Sequence, residues 1–229
     1  MIKKHIPNSI TLLNLFSGCV GALFALEGEF TFALYAAIFS GIFDFFDGMV
    51  ARLLKVNSPL GLQLDSLADM VSFGFLPGAI IYTLLGDYFY NSYVPLLGFL
   101  ITMFSALRLA KFNLDERQSE NFIGLNTPMN TFVVLSLPFA IEVLPHWSWN
   151  WLLIAFTVVS SLLLISEIKL FSMKIKSFEW EENKYRYGFL SLSLVLLILL
   201  QILAIPIILL LYFLFSFLYF SRNRKGNEY

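Results

Sequence analysis

From Phe43 to Asp69 the chain reads FDFFDGMVARLLKVNSPLGLQLDSLAD. Two helical faces are written into it. Asp44 and Asp47 stand three apart, and Asp44–Gly48, Asp47–Ala51 and Gly48–Arg52 stand four apart, which puts them along one side of a helix. Gly61, Asp65 and Asp69 form a second row at four-residue spacing. Between the rows, Asn57 and Ser58 carry turn and N-cap chemistry, and Pro59 suits the first position of a helix. Helices joined by so short a turn are antiparallel neighbours. Asp44 and Asp47 precede Lys55 by 11 and 8 residues, and Asp65 and Asp69 follow Pro59 by 6 and 10. At about 1.5 Å rise per residue, all four carboxyl groups lie about 9–17 Å from the turn, at one level.

The sequence around this stretch is that of a membrane protein. Of 229 residues, 58% are hydrophobic and 14% charged, where a soluble domain carries about a quarter charged. Apolar runs long enough to span a bilayer are read at 8–26, 31–54, 59–86, 91–111, 128–145, 149–169, 187–202 and 204–220. The run from Tyr187 to Phe220 is too long for one crossing, and Gln201 and Pro206 near its middle predict a hairpin. The expected fold is all-α, a polytopic membrane helix bundle of about eight transmembrane helices. It forms one integral membrane domain over 1–229, with a catalytic core at about 1–170 and a C-terminal helical hairpin at about 187–220. With this count and a cytoplasmic N-terminus, all 15 basic residues fall on one side, among them Lys3, Lys4, Arg52, Lys55, Arg117, Lys174 and Lys176. The opposite side carries Glu27, Glu29 and Asp87. Positive charge gathers on the cytoplasmic face, so both termini are expected there, in a multi-pass protein of the cell (inner) membrane. Tyr88, Phe89, Tyr90, Tyr93, Trp147, Trp149 and Trp151 predict an aromatic belt at the other interface.

The first apolar run follows Lys3 and Lys4 and contains Phe16-Ser17-Gly18-Cys19, a poor likeness of a lipoprotein cleavage box. The run continues to about Leu26, so a span is expected rather than a leader, with Cys19 as a small residue in a helix interface. A net charge of −1 predicts no nucleic-acid partner.

Four carboxylates inside a bilayer need compensation. One Asp at a helix centre costs about 2.5–3.5 kcal/mol on insertion scales, and Arg52 alone cannot neutralise four. Divalent cations can. Oxygen donors without nearby His or Cys favour Mg2+ or Mn2+ over zinc, and a pair of metals would balance four carboxylates. Mg2+ completes its shell with substrate phosphates. Gly48 and Gly61 then let a ligand approach the backbone, and Arg52, one turn nearer the cytoplasm, is placed for a diphosphate. Two other readings compete. Glycines on helix faces are commonly packing contacts, and intramembrane carboxylates also line ion paths, as in a divalent-cation transporter.

The pattern Asp44-x2-Asp47-Gly48-x2-Ala51-Arg52-x8-Gly61-x3-Asp65-x3-Asp69 resembles the signature of the CDP-alcohol phosphotransferases at every fixed position. The flanking segments Ile6–Thr11, Gly61–Gly74 and Leu107–Asn113 resemble the bacterial and archaeal phosphatidylserine synthases within it. Lys111 stands where an Arg is usual and Asn126 where a Pro is usual. The resemblance implies a six-helix core, here with two helices added, and a homodimer. It implies that Asp44, Asp47, Asp65 and Asp69 bind metal and that Asp69 is also the general base, a choice between Asp65 and Asp69 that spacing alone leaves open. It implies CDP-diacylglycerol and L-serine as substrates, with phosphatidylserine and CMP as products. The same chemistry on glycerol phosphate or inositol phosphate is the nearest alternative.

Gly48, Ala51, Arg52 and Gly61 are the expected contacts of CDP-diacylglycerol, joined by Asn8 and Thr11, which could reach the cytidine. Asn8 reads equally well as a helix N-cap. Arg108, Lys111 and Asn113 are candidates for serine, although Arg108 and Lys111 also read as anchors snorkelling to headgroups. Ser66 and Ser72 flank the aspartate face, where helix-to-helix hydrogen bonds are their default role. His5 and His146, on opposite faces, carry no expected chemistry, and Glu142 and Glu167 are expected in solvent.

Overall fold

A computed structural model describes residues 5–56, 58–115, 122–145, 147–172 and 179–225, with the backbone alone for Phe122, Glu181, Glu182 and 222–225. Lys3, Lys4, Asn57, Arg117, His146, Lys174 and Lys176 lie outside the described residues.

The chain folds as an all-α membrane bundle. Its helices are α1 (His5–Leu26), α2 (Phe30–Leu53), α3 (Pro59–Asp69), a π-helical segment (Met70–Phe75), α4 (Leu76–Tyr88), a 3-10 turn (Val94–Gly98) leading into α5 (Phe99–Leu114), α6 (Thr127–Val143), α7 (Trp149–Leu164), α8 (Trp180–Leu200) and α9 (Ala204–Lys225). Among the described residues, five segments are long and apolar enough to cross a membrane: His5–Leu26, Phe30–Leu53, Pro59–Tyr88, Val94–Leu114 and Asn183–Ser221. Thr127–Val143 and Trp149–Leu164 are shorter apolar helices. Two residues on each side, Phe122–Ile123 (β1) and Lys169–Leu170 (β2), pair antiparallel, with Leu170 buried against α8 and α9.

Asn183–Ser221 is the expected hairpin. Gln201 takes φ +50° and a 3-10 turn, Gln201–Leu203, reverses the chain. Tyr185 then meets Tyr219 at 6.2 Å between ring centroids, and Phe189 meets Phe215 at 6.1 Å. Pro206 sits in the first turn of α9, where its missing N–H costs nothing because no intrahelical acceptor exists there.

Small residues set the helix spacing, as in membrane interfaces generally. Gly18, Gly21, Ala22 and Ala25 of α1 are buried, as are Ala33, Ala36, Ala37 and Ser40 of α2. A Cβ on Gly21 would stand 3.0 Å from Ala36 Cβ. Cys19 is not part of this seam. It is exposed, because the buried positions of α1 recur at 11, 14, 18, 21, 22 and 25 and leave 19 on the outer side. The buried core joins Ala22, Ala25, Ala33 and Ala37 of α1 and α2 to Leu76, Ile80, Leu85, Ile101, Leu135 and Leu153 of α4 to α7. Phe16 (66% exposed) and Phe45 (63%) point outward, an arrangement that suits lipid rather than water.

The third expected span is one helical run interrupted by the π-helical segment immediately after Asp69. Pro77 explains part of it. It has no N–H for the carbonyl four residues back, and that carbonyl, of Phe73, accepts instead from Thr131 Oγ1 at 2.9 Å. Thr102 Oγ1 likewise donates to the Gly74 carbonyl at 3.0 Å. The fourth span begins later than expected, as the 3-10 turn at Val94.

Candidate active site

The short turn after α2 forms as its chemistry dictates. Ser58 is the N-cap of α3, its Oγ accepting from the Gly61 N–H at 2.9 Å, with Pro59 at the start of the helix. The turn leads α3 back along α1, so that α2 and α3 both pack on α1 rather than directly on each other as the short turn predicted, and three of the aspartates come together. One carboxylate oxygen each from Asp44, Asp47 and Asp65 lies within 4.8 Å of the others. These are hard oxygen donors with no His or Cys among them, so the triad can hold a divalent cation. Asp47 is 7% exposed, an unfavourable place for an ionised carboxylate unless paired.

Asp69 is not one of the three whose oxygens converge. Its Oδ1 accepts from Asn14 Nδ2 at 3.1 Å. The first helix also serves the triad, as Thr11 Oγ1 donates to Asp47 Oδ2 at 2.6 Å. Sequence reading placed Thr11 near the nucleotide and passed over Asn14. A signal was present: an Asn inside an apolar run, three residues from Thr11 on the same helical face, is costly in a bilayer and functional by default.

A cavity of about 150 Å³ opens beside the triad. Asn8, Thr11, Asp47, Gly48, Ala51, Gly61 and Asp65 all border it. The structure therefore gathers the residues singled out around the signature from three helices. Asn8 lies inside α1 rather than at its N-cap, with Oδ1 3.3 Å from where a Cβ on Gly61 would be. The two glycines differ. A Cβ on Gly48 would meet no other helix, the nearest atom being Arg52 Nη1 at 3.9 Å, so packing does not explain this glycine. A Cβ on Gly61 would press on Ser58 Oγ at 3.1 Å, so this one is also required by the turn. Arg52 is exposed and lies over Gly48. On its other side Asp44 borders an apolar cavity of about 380 Å³, walled by Ile38, Phe45, Phe46, Phe73 and Phe132.

The residues expected to meet serine divide. Arg108 and Lys111 border a separate cavity of about 340 Å³ with Asp115, Ser166 and Glu167. Arg108 is 5% exposed, donates from Nε to the Leu125 carbonyl at 3.4 Å and stacks over Phe112 at 5.2 Å, so it is no snorkelling anchor. Lys111 is exposed. Asn113 turns the other way and donates from Nδ2 to Ser66 Oγ at 2.8 Å, next to Asp65. Ser72 is buried against α1, as its default role required. Asn126 caps α6, accepting from the Met129 N–H at 2.8 Å, which gives this departure from the usual Pro a structural role.

The model of the CDP-alcohol phosphatidyltransferase family matches residues 4–163. A CDP-diacylglycerol–serine O-phosphatidyltransferase of Helicobacter pylori is 35% identical over 131 residues, 56% of this chain and 55% of the relative. One of Bacillus subtilis is 34% identical over 172 residues, 72% of this chain and 89% of the relative. An archaetidylserine synthase of Methanothermobacter thermautotrophicus is 32% identical over 134 residues, covering 57% and 56%. The matched region thus spans a little over half the length of the Helicobacter relative.

Proposed function

Because the chain belongs to the CDP-alcohol phosphatidyltransferase family, we propose that it transfers the phosphatidyl group of CDP-diacylglycerol to the hydroxyl of L-serine, giving phosphatidylserine and CMP. The observation that carries this reading is the convergence of Asp44, Asp47 and Asp65 beside a cavity bordered by Gly48, Ala51 and Gly61. The names of the relatives support serine as the acceptor.

In this reading Asp44, Asp47, Asp65 and Asp69 would hold two Mg2+ or Mn2+ ions. When bound, such ions neutralise the diphosphate and the charge developing in an in-line transfer. Arg52 and the backbone at Gly48 receive the diphosphate, while Asn8 and Thr11 lie towards the cytidine. Asp69 takes the proton of the serine hydroxyl as that oxygen bonds to the phosphorus bearing diacylglycerol. The bond from this phosphorus to the bridging oxygen breaks, and CMP leaves with that oxygen. Asp69 suits the base because Asn14 holds one of its oxygens and it is not part of the compact triad. Asn113, bonded beside Asp65, and Arg108 with Lys111 are the serine-side candidates. The apolar wall beside Asp44 suits the acyl chains. We place the reaction at the cytoplasmic side of the inner membrane, in a homodimer, with the core at about 1–170 and the hairpin at about 187–220 in one domain.

The test is CMP release by the purified protein from CDP-diacylglycerol with Mn2+ or Mg2+ and one alcohol at a time. Release with L-serine is expected. Release with glycerol phosphate or inositol phosphate but not serine would reassign the acceptor. No release with any alcohol, together with metal flux in liposomes, would replace the enzyme by a divalent-cation transporter.

A further inference from the structure

Asn14 is fully buried (0% exposed) at the point where three helical segments touch. Its side chain spans two partners. Nδ2 donates to Asp69 Oδ1 at 3.1 Å, and Oδ1 accepts from Ser72 Oγ at 2.7 Å. An ionised carboxylate only accepts hydrogen bonds, so the NH2 must face Asp69 and the amide oxygen must face Ser72. The backbone is held as well. The Asn14 carbonyl accepts from Ser40 Oγ of α2 at 3.2 Å and lies 3.1 Å from Ser72 Oγ. Gly18, one turn further along α1, lets the π-helical segment come this close, because a Cβ there would stand 2.8 Å from Ser72 Cα. None of these groups borders the nucleotide cavity.

We propose that Asn14 is the positioning residue of the proton acceptor: its amide, locked by Ser72, fixes the rotation of the Asp69 carboxylate so that its second oxygen is presented to the incoming hydroxyl. This inference rests on Asp69 being the base. It explains why the chain distorts into a π-helix directly after Asp69. The distortion seats Ser72 against α1 on the far side of the amide from the carboxylate. π-Helical turns recur at functional sites, and here the freed carbonyls of Phe73 and Gly74 are satisfied by Thr131 and Thr102. The segment is thus held in place from α5 and α6 as well.

A loose base costs rate rather than affinity. Misplacement by about 1 Å lowers a well-oriented step about 100-fold. The test measures kcat, both KM values and CDP binding to the full-length protein for Asn14→Ala, for the isosteric but donorless Asn14→Asp, and for Ser72→Ala. Both Asn14 variants are expected to lose about 10- to 100-fold in kcat, with CDP affinity and the KM for CDP-diacylglycerol within about twofold. Ser72→Ala should lose less, in the same direction. A normal kcat in Asn14→Ala or Asn14→Asp overturns the proposal. So does a loss of CDP binding in step with the loss of rate, which is the signature of a merely structural role. If the Asn14 variants do not fold, Ser72→Ala decides, and an unchanged rate there overturns it. The inference concerns the base and not the acceptor. If the wild type works only with another alcohol, the comparison is made with that alcohol. If the wild type releases CMP with none, the proposed function and this inference both fall.

Discussion

At the level of single residues, the proposed roles overlap: all four aspartates would hold metal, and Asp69 would also take the proton. Asp44, Asp47 and Asp65 form the compact triad, and Asp69 is joined to Asn14 instead. Asp69→Asn keeps the shape and removes the proposed proton acceptor. It should abolish CMP release while leaving CDP binding nearly intact, and normal turnover in that variant would misassign the base. Gly48 gives a contrast of signs. Ala in place of a mid-helix Gly stabilises by about 0.5–1 kcal/mol, and its Cβ would meet nothing of the protein nearer than Arg52 Nη1 at 3.9 Å. Gly48→Ala should therefore melt no lower than the wild type. Its KM for CDP-diacylglycerol should rise about 10-fold, a loss of about 1.4 kcal/mol in binding. An unchanged KM would return Gly48 to a packing role. The aspartates, glycines and Arg52 were legible because helical spacing alone puts them on facing rows. Asn14 was not read, because its role depends on Asp69 and Ser72, which lie 55 and 58 residues away. The direction of Arg108 was not legible either, since its wall comes from the loops at Leu125 and 164–167.

At the level of elements, α1 serves two carboxylates and the π-helical segment keeps it in register. Gly18→Ala would force Ser72 off α1, since the added Cβ would stand 2.8 Å from Ser72 Cα. Overpacking of this kind costs about 1–3 kcal/mol, more than the helix gains from Ala. A lowered melting temperature together with lowered kcat is expected in detergent, and an unchanged melting temperature would show that the two segments are not in forced contact. The helices themselves were legible from apolar run length, and the α2–α3 turn from Ser58 and Pro59. The π-helical segment was not. The Pro77 signal is local, but the hydroxyls that make the distortion tolerable, Thr102 and Thr131, come from α5 and α6. The exposed face of Cys19 was missed for a simpler reason: small residues at 18, 19, 21 and 22 leave the buried side of α1 ambiguous until α2 is in place.

At the level of the whole molecule, aromatic residues join the end of α4 to the start of α7. Phe89 meets Trp151 at 6.3 Å, Trp147 stacks on Trp149 at 6.1 Å, and Tyr90 and Tyr93 are 85% and 88% exposed. Both Lys55 and Tyr90 are accessible positions. In a Cys19→Ser background, Lys55→Cys should be labelled by an impermeant thiol reagent only from the cytoplasmic side and Tyr90→Cys only from the other. Labelling of both from one side would contradict the proposed orientation. The central claim is that the aspartate cluster carries a metal-dependent phosphatidyl transfer to serine, and its most direct test follows both products together. The purified protein, stripped of metal by a chelator, is given CDP-diacylglycerol and L-serine, and phosphatidylserine and CMP are quantified as Mn2+ or Mg2+ is restored. No product is expected without metal, equal amounts of the two products once metal returns, and none in Asp65→Asn at any metal concentration. Phosphatidylserine formed at full rate without metal, or by Asp65→Asn, would contradict that claim.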